Sequence, residues 1–83
     1  MKIKYFAWVR ERIGVAEEDI TLPDDVETAG DLIRHLKARG DGYAWALAQD
    51  KFVRVAADQK HVTHGVSIRG ASEVAIFPPM TGG

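Results

Sequence analysis

The chain has 83 residues, of which 46% are hydrophobic and 28% are charged, and its formal net charge is −1. These values are typical of one small globular domain, and they exclude a strongly basic nucleic-acid surface and a long apolar membrane span. The absence of cysteine excludes disulfides, thiolate metal sites and thiol catalysis. The first residues lack the apolar stretch of a signal peptide, so we expect a cytoplasmic protein without nucleic-acid or membrane partners.

Alternating polar and apolar residues predict a first strand that begins at Lys2. If the alternation continues, Phe6 and Trp8 lie on the same face as Lys2, opposite the face that holds Ile3, Tyr5, Ala7 and Val9. Residues 10–14 end in glycine and predict a short turn or helical stub. Residues 19–22 alternate again before a proline, which predicts a second strand in a hairpin with the first.

The main helix is predicted by a capping signal followed by apolar residues at helical spacing. Thr28 is a good N-cap, and Asp31 resembles the acidic half of a capping box. The apolar residues that follow are Ala29, Leu32, Ile33 and Leu36. We expect this helix to end at Gly40 and Gly42, and we expect a shorter alanine-rich helix over residues 43–48.

Three more strands are predicted in the second half of the chain, at residues 52–56, 61–62 and 73–77. Val53 and Val55 should point inward, as should Val66 and Ile68 in the loop before the last strand. The last strand should end at the two prolines of residues 78–79, because proline cannot donate to a sheet ladder.

This order of elements predicts an α+β fold in which a mixed sheet of about five strands packs on one main helix. The first and last strands should be adjacent at the centre of the sheet. The helix covers one sheet face and leaves the other face open. We expect one domain over residues 1–79, followed by a flexible tail over residues 80–83.

The tail ends in Gly82-Gly83, which would place a free carboxylate on a residue without a side chain. Glycine adopts almost any φ and ψ, so such an arm can thread a narrow channel and expose its last carbonyl group to attack. By chance, a chain would end in two glycines only about once in 200.

The strand and helix order, together with the terminal Gly82-Gly83, resembles the ubiquitin-like β-grasp proteins. Among them, the chain is similar to the family of molybdopterin synthase small subunits, which are sulfur carriers. The resemblance covers essentially the whole chain and depends on residues 6–11, 43–47 and, above all, 73–83. All carriers of this fold share the Gly-Gly ending, whereas residues 73–79 are more specific to the molybdopterin branch.

The resemblance implies a reaction cycle centred on Gly83. An ATP-dependent adenylating enzyme activates its carboxylate, and a sulfur donor protein converts the acyl adenylate into a thiocarboxylate. Pro79, Met80, Thr81 and Gly82 then enter the active site of the large subunit of a heterotetrameric synthase, where sulfur passes to cyclic pyranopterin monophosphate. The family implies no cofactor bound to the chain and no catalytic side chain of its own, since ATP is used by the activating enzyme.

Strand parity also predicts a partner-binding surface on the open sheet face, because clusters of exposed aromatic residues usually mark such surfaces. The residues that parity places there are Phe6, Trp8, Ala75 and Phe77, with His61 at their border. An alternative is that loops or Trp45 cover these side chains. We expect Trp45 itself to pack in the core or between helices.

The three histidines at positions 35, 61 and 64 lack acidic or thiol partners at suitable spacing, so we expect packing or surface roles and no metal site. The acidic runs at 17–19 and 24–25 are interpreted as solvated residues beside turns. Three other functions stay open. They are sulfur transfer for thiamine, cysteine or tRNA, protein modification through Gly83, and a binding module with an inert tail.

Overall fold

The computed structural model describes residues 1–79 and has the predicted α+β architecture. A five-stranded sheet packs with one main helix and three short helical segments. The elements in chain order are β1 (Lys2–Tyr5), α1 (Ala7–Ile13), β2 (Glu17–Asp19), α2 (Ala29–Lys37), α3 (Asp41–Ala46), a 3-10 turn (Asp50–Phe52), β3 (Arg54–Ala57), β4 (Lys60–Val62) and β5 (Glu73–Phe77). The flexible tail expected over residues 80–83 lies outside the described residues.

The sheet has the strand order β2-β1-β5-β3-β4. β1 and β5 are parallel neighbours, with Ile3 opposite Val74 and Tyr5 opposite Ile76. The other three pairs are antiparallel. The predicted adjacency of the first and last strands is therefore confirmed, and the chain leaves the middle of the sheet after Phe77.

One face of the sheet packs on the apolar face of α2 and forms the core. The helix contributes the predicted residues, all of which are buried: Ala29, Leu32, Ile33 and Leu36. The predicted capping box is present at the start of α2. The Asp31 N–H donates to the Thr28 hydroxyl, and the Thr28 N–H donates to the Asp31 carboxylate, each over 3.1 Å.

β1 ends earlier than strand parity predicts. Phe6 keeps an extended backbone, but Ala7 adopts a left-handed φ of 53° and turns the chain into α1. Ala7 is exposed, Val9 is buried, and Trp8 is carried away from the sheet by the helix. The predicted helical stub is therefore longer at its start, and it ends as expected at Gly14, which has a φ of 99°.

β2 spans Glu17–Asp19 rather than residues 19–22, because its antiparallel register places Glu18 opposite Ile3. Past the strand, backbone hydrogen bonds continue between Met1 and Ile20. The loop before β5 also differs in part from the prediction. Ile68 is buried there, whereas Val66 is 42% exposed.

The two glycines expected to stop α2 have other roles. The helix already ends at Lys37, Gly40 is the N-cap of α3, and Gly42 lies inside α3. A Cβ atom at Gly42 would lie 2.7 Å from the carbonyl oxygen of Arg12. Gly42 thus lets α3 approach α1 more closely than any residue with a side chain would allow.

Candidate functional site

The end of β5 carries an aromatic cluster on the open sheet face, opposite the core. Val74 and Ile76 point into the core, so the alternating residues Ala75 and Phe77 lie on the open face. The ring of His61, on β4, meets the ring of Phe77 edge to face, with 5.3 Å between their centroids. Ala75, Phe77 and His61 therefore lie on the open face, as the alternation along the strands predicts.

Phe6 joins the same surface from the end of β1. Its backbone N–H donates to the Ile76 carbonyl oxygen over 3.1 Å, and its extended backbone continues the parity of Lys4. The Phe6 side chain is 45% exposed. We define Phe6, His61, Ala75 and Phe77 as the aromatic patch.

The other half of the open face is charged. Lys4 pairs with Glu73 over 3.1 Å, and Lys2 pairs with Glu17 over 3.5 Å. The aromatic patch therefore adjoins the point where the chain leaves β5, and ion pairs occupy the far end of the same face.

Trp8 does not belong to the aromatic patch, which corrects the sequence prediction. α1 carries it to a cleft of about 530 Å³ that Pro79 also lines. The Arg12 guanidinium lies between two indole rings, with its Cζ atom 4.5 Å from the Trp8 centroid and 4.6 Å from the Trp45 centroid. We define Trp8, Arg12, Trp45, Phe52 and Pro79 as the indole cleft.

Trp45 was expected in the core or between helices. The core position is wrong, because the residue is 61% exposed, whereas its ring does lie between helices, beside Arg12 of α1. Ala46 and Leu47 provide the apolar face of this segment instead, and both are buried. Trp45 consequently faces Arg12 across the gap between α3 and α1. The alternating and helical patterns of the sequence carry no signal for this contact, although the glycine at position 42 is compatible with a close helix approach.

Glu18 was expected to be solvated, but it is the acceptor of a partly buried cluster. Its carboxylate accepts hydrogen bonds from the hydroxyls of Tyr5 and Tyr43, each over 2.7 Å, and from Arg39 over 3.2 Å. Burial, and then the adjacent Glu18 carboxylate, raise the pKa of both phenols above the ordinary value of 10.0. The cluster ties α3 to the edge of the sheet, and so helps to place Trp45.

Two of the three histidines have defined contacts, since His61 belongs to the aromatic patch and His64 packs against β3. The Nε2 atom of His64 lies 2.8 Å from the Val53 carbonyl oxygen, and this hydrogen bond gives the His64 ring a structural role. Within residues 1–79, no group of three or more potential ligand residues is placed to hold a metal ion. No helix in this part of the chain is long and apolar enough to cross a membrane.

Only one of the residues predicted to insert into a partner, Pro79, lies within the described part of the chain. Pro79 is half-buried and lines the indole cleft, so the start of the tail lies beside Trp8 and Arg12. The other predicted tail residues, Met80, Thr81, Gly82 and Gly83, lie outside the described residues.

Comparison with known proteins identifies the family. The ThiS family profile matches residues 3–83. The chain belongs to the ThiS family. Proteins named molybdopterin synthase sulfur carrier subunit are similar over the full chain and 99% of their own length, with 39% identity in Haemophilus influenzae and 35% in Escherichia coli.

Two further similarities bear on fold and function. Small archaeal modifier protein 3 of Haloferax volcanii is 31% identical over the full chain and 98% of its own length. A solved structure from Pyrococcus furiosus, described as molybdopterin converting factor, subunit 1, has 30% identity and a TM-score of 0.72, and the match covers 95% of each chain. The ubiquitin-like β-grasp fold and the family resemblance inferred from the sequence are thus confirmed.

Proposed function

We propose that this chain is the sulfur carrier subunit of a molybdopterin synthase and that Gly83 carries the sulfur. The observation that supports this most strongly is similarity along the whole chain to two carrier subunits of that name, at 35% and 39% identity. The fold adds a surface suited to the role, since the aromatic patch adjoins the point where the tail begins. The proposal places the chain in the cytoplasm with a large synthase subunit as its partner.

In the proposed cycle, the Gly83 carboxylate is first activated, because a carboxylate is a poor electrophile. Its oxygen attacks ATP, pyrophosphate leaves, and an acyl adenylate forms on the adenylating enzyme. A sulfur donor protein then supplies sulfur to the carbonyl carbon, and AMP leaves. Gly83 suits this attack, since it has no side chain to obstruct the carbonyl group.

The resulting thiocarboxylate transfers its sulfur inside the large subunit. The acceptor in this proposal is cyclic pyranopterin monophosphate, and repeated transfer builds the dithiolene that later holds molybdenum. Water can hydrolyse a thiocarboxylate, so the transfer requires a site that excludes water. Residues 78–79 are both proline and favour an extended backbone at the start of the tail, which reduces the entropy lost when it inserts.

The aromatic patch would hold the body of the carrier against each partner. Burying an aromatic ring such as Phe6 or Phe77 in an interface contributes about 1.5–3 kcal/mol. The adenylating enzyme and the large subunit both receive the same tail from the same side, so we propose that both use this patch. The two complexes would then be mutually exclusive.

A second candidate function is protein modification through an isopeptide bond from Gly83 to lysine. The 31% identity to small archaeal modifier protein 3 favours it. Both functions begin with the same acyl adenylate, and they differ in the nucleophile that attacks it. Sulfur transfer to thiamine, cysteine or tRNA intermediates is a third variant, which differs only in the acceptor.

Mass spectrometry of the chain isolated from its own cells separates these functions. A thiocarboxylate on Gly83 is expected for a sulfur carrier, and isopeptide adducts are expected for a modifier. A chain that shows neither product, under conditions where molybdenum cofactor is made, would contradict the proposal. Identification of the protein that co-purifies with the chain then decides the acceptor, and we expect the large synthase subunit.

A further inference from the structure

A small pocket at one edge of the sheet is lined by positive charge. It lies beside β4, which is an edge strand, and has a volume of about 240 Å³. Two of its lining residues, Lys51 and Arg54, are exposed cations, and no acidic residue lines it among residues 1–79. Asp50, which precedes Lys51 in the chain, pairs instead with Lys37 over 3.4 Å. The pocket therefore differs from the chain as a whole, whose formal net charge is −1.

The remaining residues give the pocket apolar and polar walls. Val53 and Val62 are apolar, and Thr63 has a hydroxyl group. The His64 ring is held in place because its Nε2–H donates to the Val53 carbonyl oxygen, which can only accept, over 2.8 Å. Apolar walls beside two cations suit a glutamate or aspartate side chain, which has an apolar stem and an anionic end. The planar guanidinium of Arg54 can bond both oxygens of such a carboxylate.

Arg54 connects this pocket to the aromatic patch. Val55 is buried in the core, so its neighbour Arg54 lies on the open face of the sheet. There Arg54 is the register partner of Phe77, which belongs to the patch. We define Lys51, Arg54, Thr63 and His64 as the basic corner. A partner that covers Phe77 would therefore also meet the basic corner.

We propose that the basic corner recognises carboxylate side chains on the large synthase subunit when that subunit covers the aromatic patch. This inference rests on the proposed function, which makes the large subunit the partner that holds the carrier during sulfur transfer. The patch contributes burial of apolar rings, and the basic corner contributes the charge. Opposite charges across an interface raise the association rate and favour one orientation of the partners. The basic corner thus helps to align the carrier on the large subunit.

The test measures the association rate and affinity of the full chain for the purified large subunit at increasing salt. The native rate should fall as salt is added, because the Debye length shortens from about 10 Å at 0.1 M to about 3 Å at 1 M. Arg54→Gln and Lys51→Gln should each slow association at low salt. Each should also lower the affinity by about 1.4- to 5-fold, the equivalent of about 0.2–1 kcal/mol for an exposed ion pair. The differences from the native chain should shrink at high salt.

Two further variants make the test specific. Lys60→Gln removes the same charge from an exposed lysine at the far end of the β3–β4 hairpin, where its register partner is Ala57. It should leave the association rate and affinity near the native values. Arg54→Lys keeps the charge and should recover most of the association rate that Arg54→Gln loses, since steering depends on charge. A role of Arg54 in packing alone would not give this recovery.

A native association rate that does not change with salt would overturn the inference, and this measurement needs no substitution. Equal rates and affinities in Arg54→Gln, Lys51→Gln and Lys60→Gln would also overturn it. So would an effect of the first two variants on the adenylating enzyme alone, since that result would assign the basic corner to the other partner. Failure of the proposed function gives a different result, because the native chain would then not bind the large subunit at any salt concentration, which would overturn both.

Discussion

The aromatic patch and the indole cleft both adjoin the end of β5, but the fold builds them in different ways. The patch lies on neighbouring strands, where alternation along each strand determines which side chains face outward. The cleft lies between α1 and α3, which approach each other at Gly42. A surface on paired strands can therefore be inferred from sequence, whereas a cleft between two short helices depends on a tertiary contact.

The two regions also differ in where their charge lies, since the exposed Arg54 on β3 is the register partner of Phe77, whereas the cation of the cleft lies between indoles. The patch consists of rings and a small alanine, which suits burial against a partner. The cleft contains a cation held between two indoles, which suits an anion. The two regions therefore suit different kinds of contact, which are burial of apolar rings in the patch and a contact centred on a cation in the cleft.

The largest expected effect comes from removing the two residues to which the proposed function assigns activation and sulfur transfer. Deletion of Gly82 and Gly83 should abolish sulfur transfer, because no carboxylate would reach the partner's active site. The free energy of unfolding should change by less than about 0.5 kcal/mol, because the two glycines have no side chains to contribute to the core. Activity assays and thermal melts check both parts. Normal transfer, or a large loss of stability, would contradict the proposed role of the tail.

Phe77→Asp tests the patch separately from the cleft. The change removes a ring whose burial contributes about 1.5–3 kcal/mol, so affinity for each partner should fall by about 10- to 100-fold. Val15→Asp is the control for the added charge, because Val15 is 44% exposed and lies outside the patch. Isothermal titration against the large subunit and the adenylating enzyme measures both affinities. If Phe77→Asp bound both partners normally, docking would occur elsewhere.

Gly42→Ala tests how the cleft is built. Because the new Cβ atom would lie 2.7 Å from the Arg12 carbonyl oxygen, α3 must move and stability should fall by about 1–3 kcal/mol. Tryptophan fluorescence should change as Trp45 moves relative to Arg12. In the control Gly65→Ala, no atom lies within 4 Å of the new Cβ atom, so both quantities should stay near the native values. Equal effects in the two variants would show that the close approach is unimportant.

Glu18→Gln weakens the other support of α3 and should have a smaller effect. The variant should lose about 1 kcal/mol, the net contribution of one hydrogen bond, while Glu17→Gln on the open face should change little. A denaturant titration compares the two. A native-like stability in Glu18→Gln would mean that the cluster does not hold α3.

The same cluster predicts a dependence of stability on alkaline pH. Burial, followed by the Glu18 carboxylate, raises the folded-state pKa of Tyr43 above its ordinary value of 10.0. The stability linked to this phenol is therefore complete below pH 10.0 and is lost as pH rises through the folded-state pKa. Glu18→Gln removes a negative charge and should lower that pKa, which phenolate absorbance would detect. An unchanged phenolate transition would assign the raised pKa to burial alone.

Most of the fold could be predicted from local patterns because they match the tertiary structure. The capping box of Thr28 and Asp31 forms as predicted, and the apolar alternation of β5 matches the buried positions of Val74 and Ile76. Strand parity failed after Phe6, where the left-handed Ala7 ends the strand. Nothing in the spacing of apolar residues indicates such a turn at an alanine.

The candidate site could be predicted only in part for the same reason. The alternation of residues on β1 and β5 predicts the positions of Phe6, Ala75 and Phe77 in the aromatic patch. It wrongly places Trp8 there as well. The cleft and the Glu18 cluster join residues far apart in sequence, such as Arg12 with Trp45 and Glu18 with Tyr43. These polar and cation contacts depend on how α3 packs, which the local sequence does not specify.

The most direct test of the account is a single-turnover reaction with the chain carrying a thiocarboxylate on Gly83. The chain is mixed with the purified large subunit and cyclic pyranopterin monophosphate, without ATP or a sulfur donor. We predict that the dithiolene product appears as the thiocarboxylate is converted to a carboxylate. The same chain with an ordinary carboxylate on Gly83 serves as the control and should give no product. A thiocarboxylate that persists in the presence of a large subunit known to be active, with no sulfur in the pterin, would contradict the proposed carrier role.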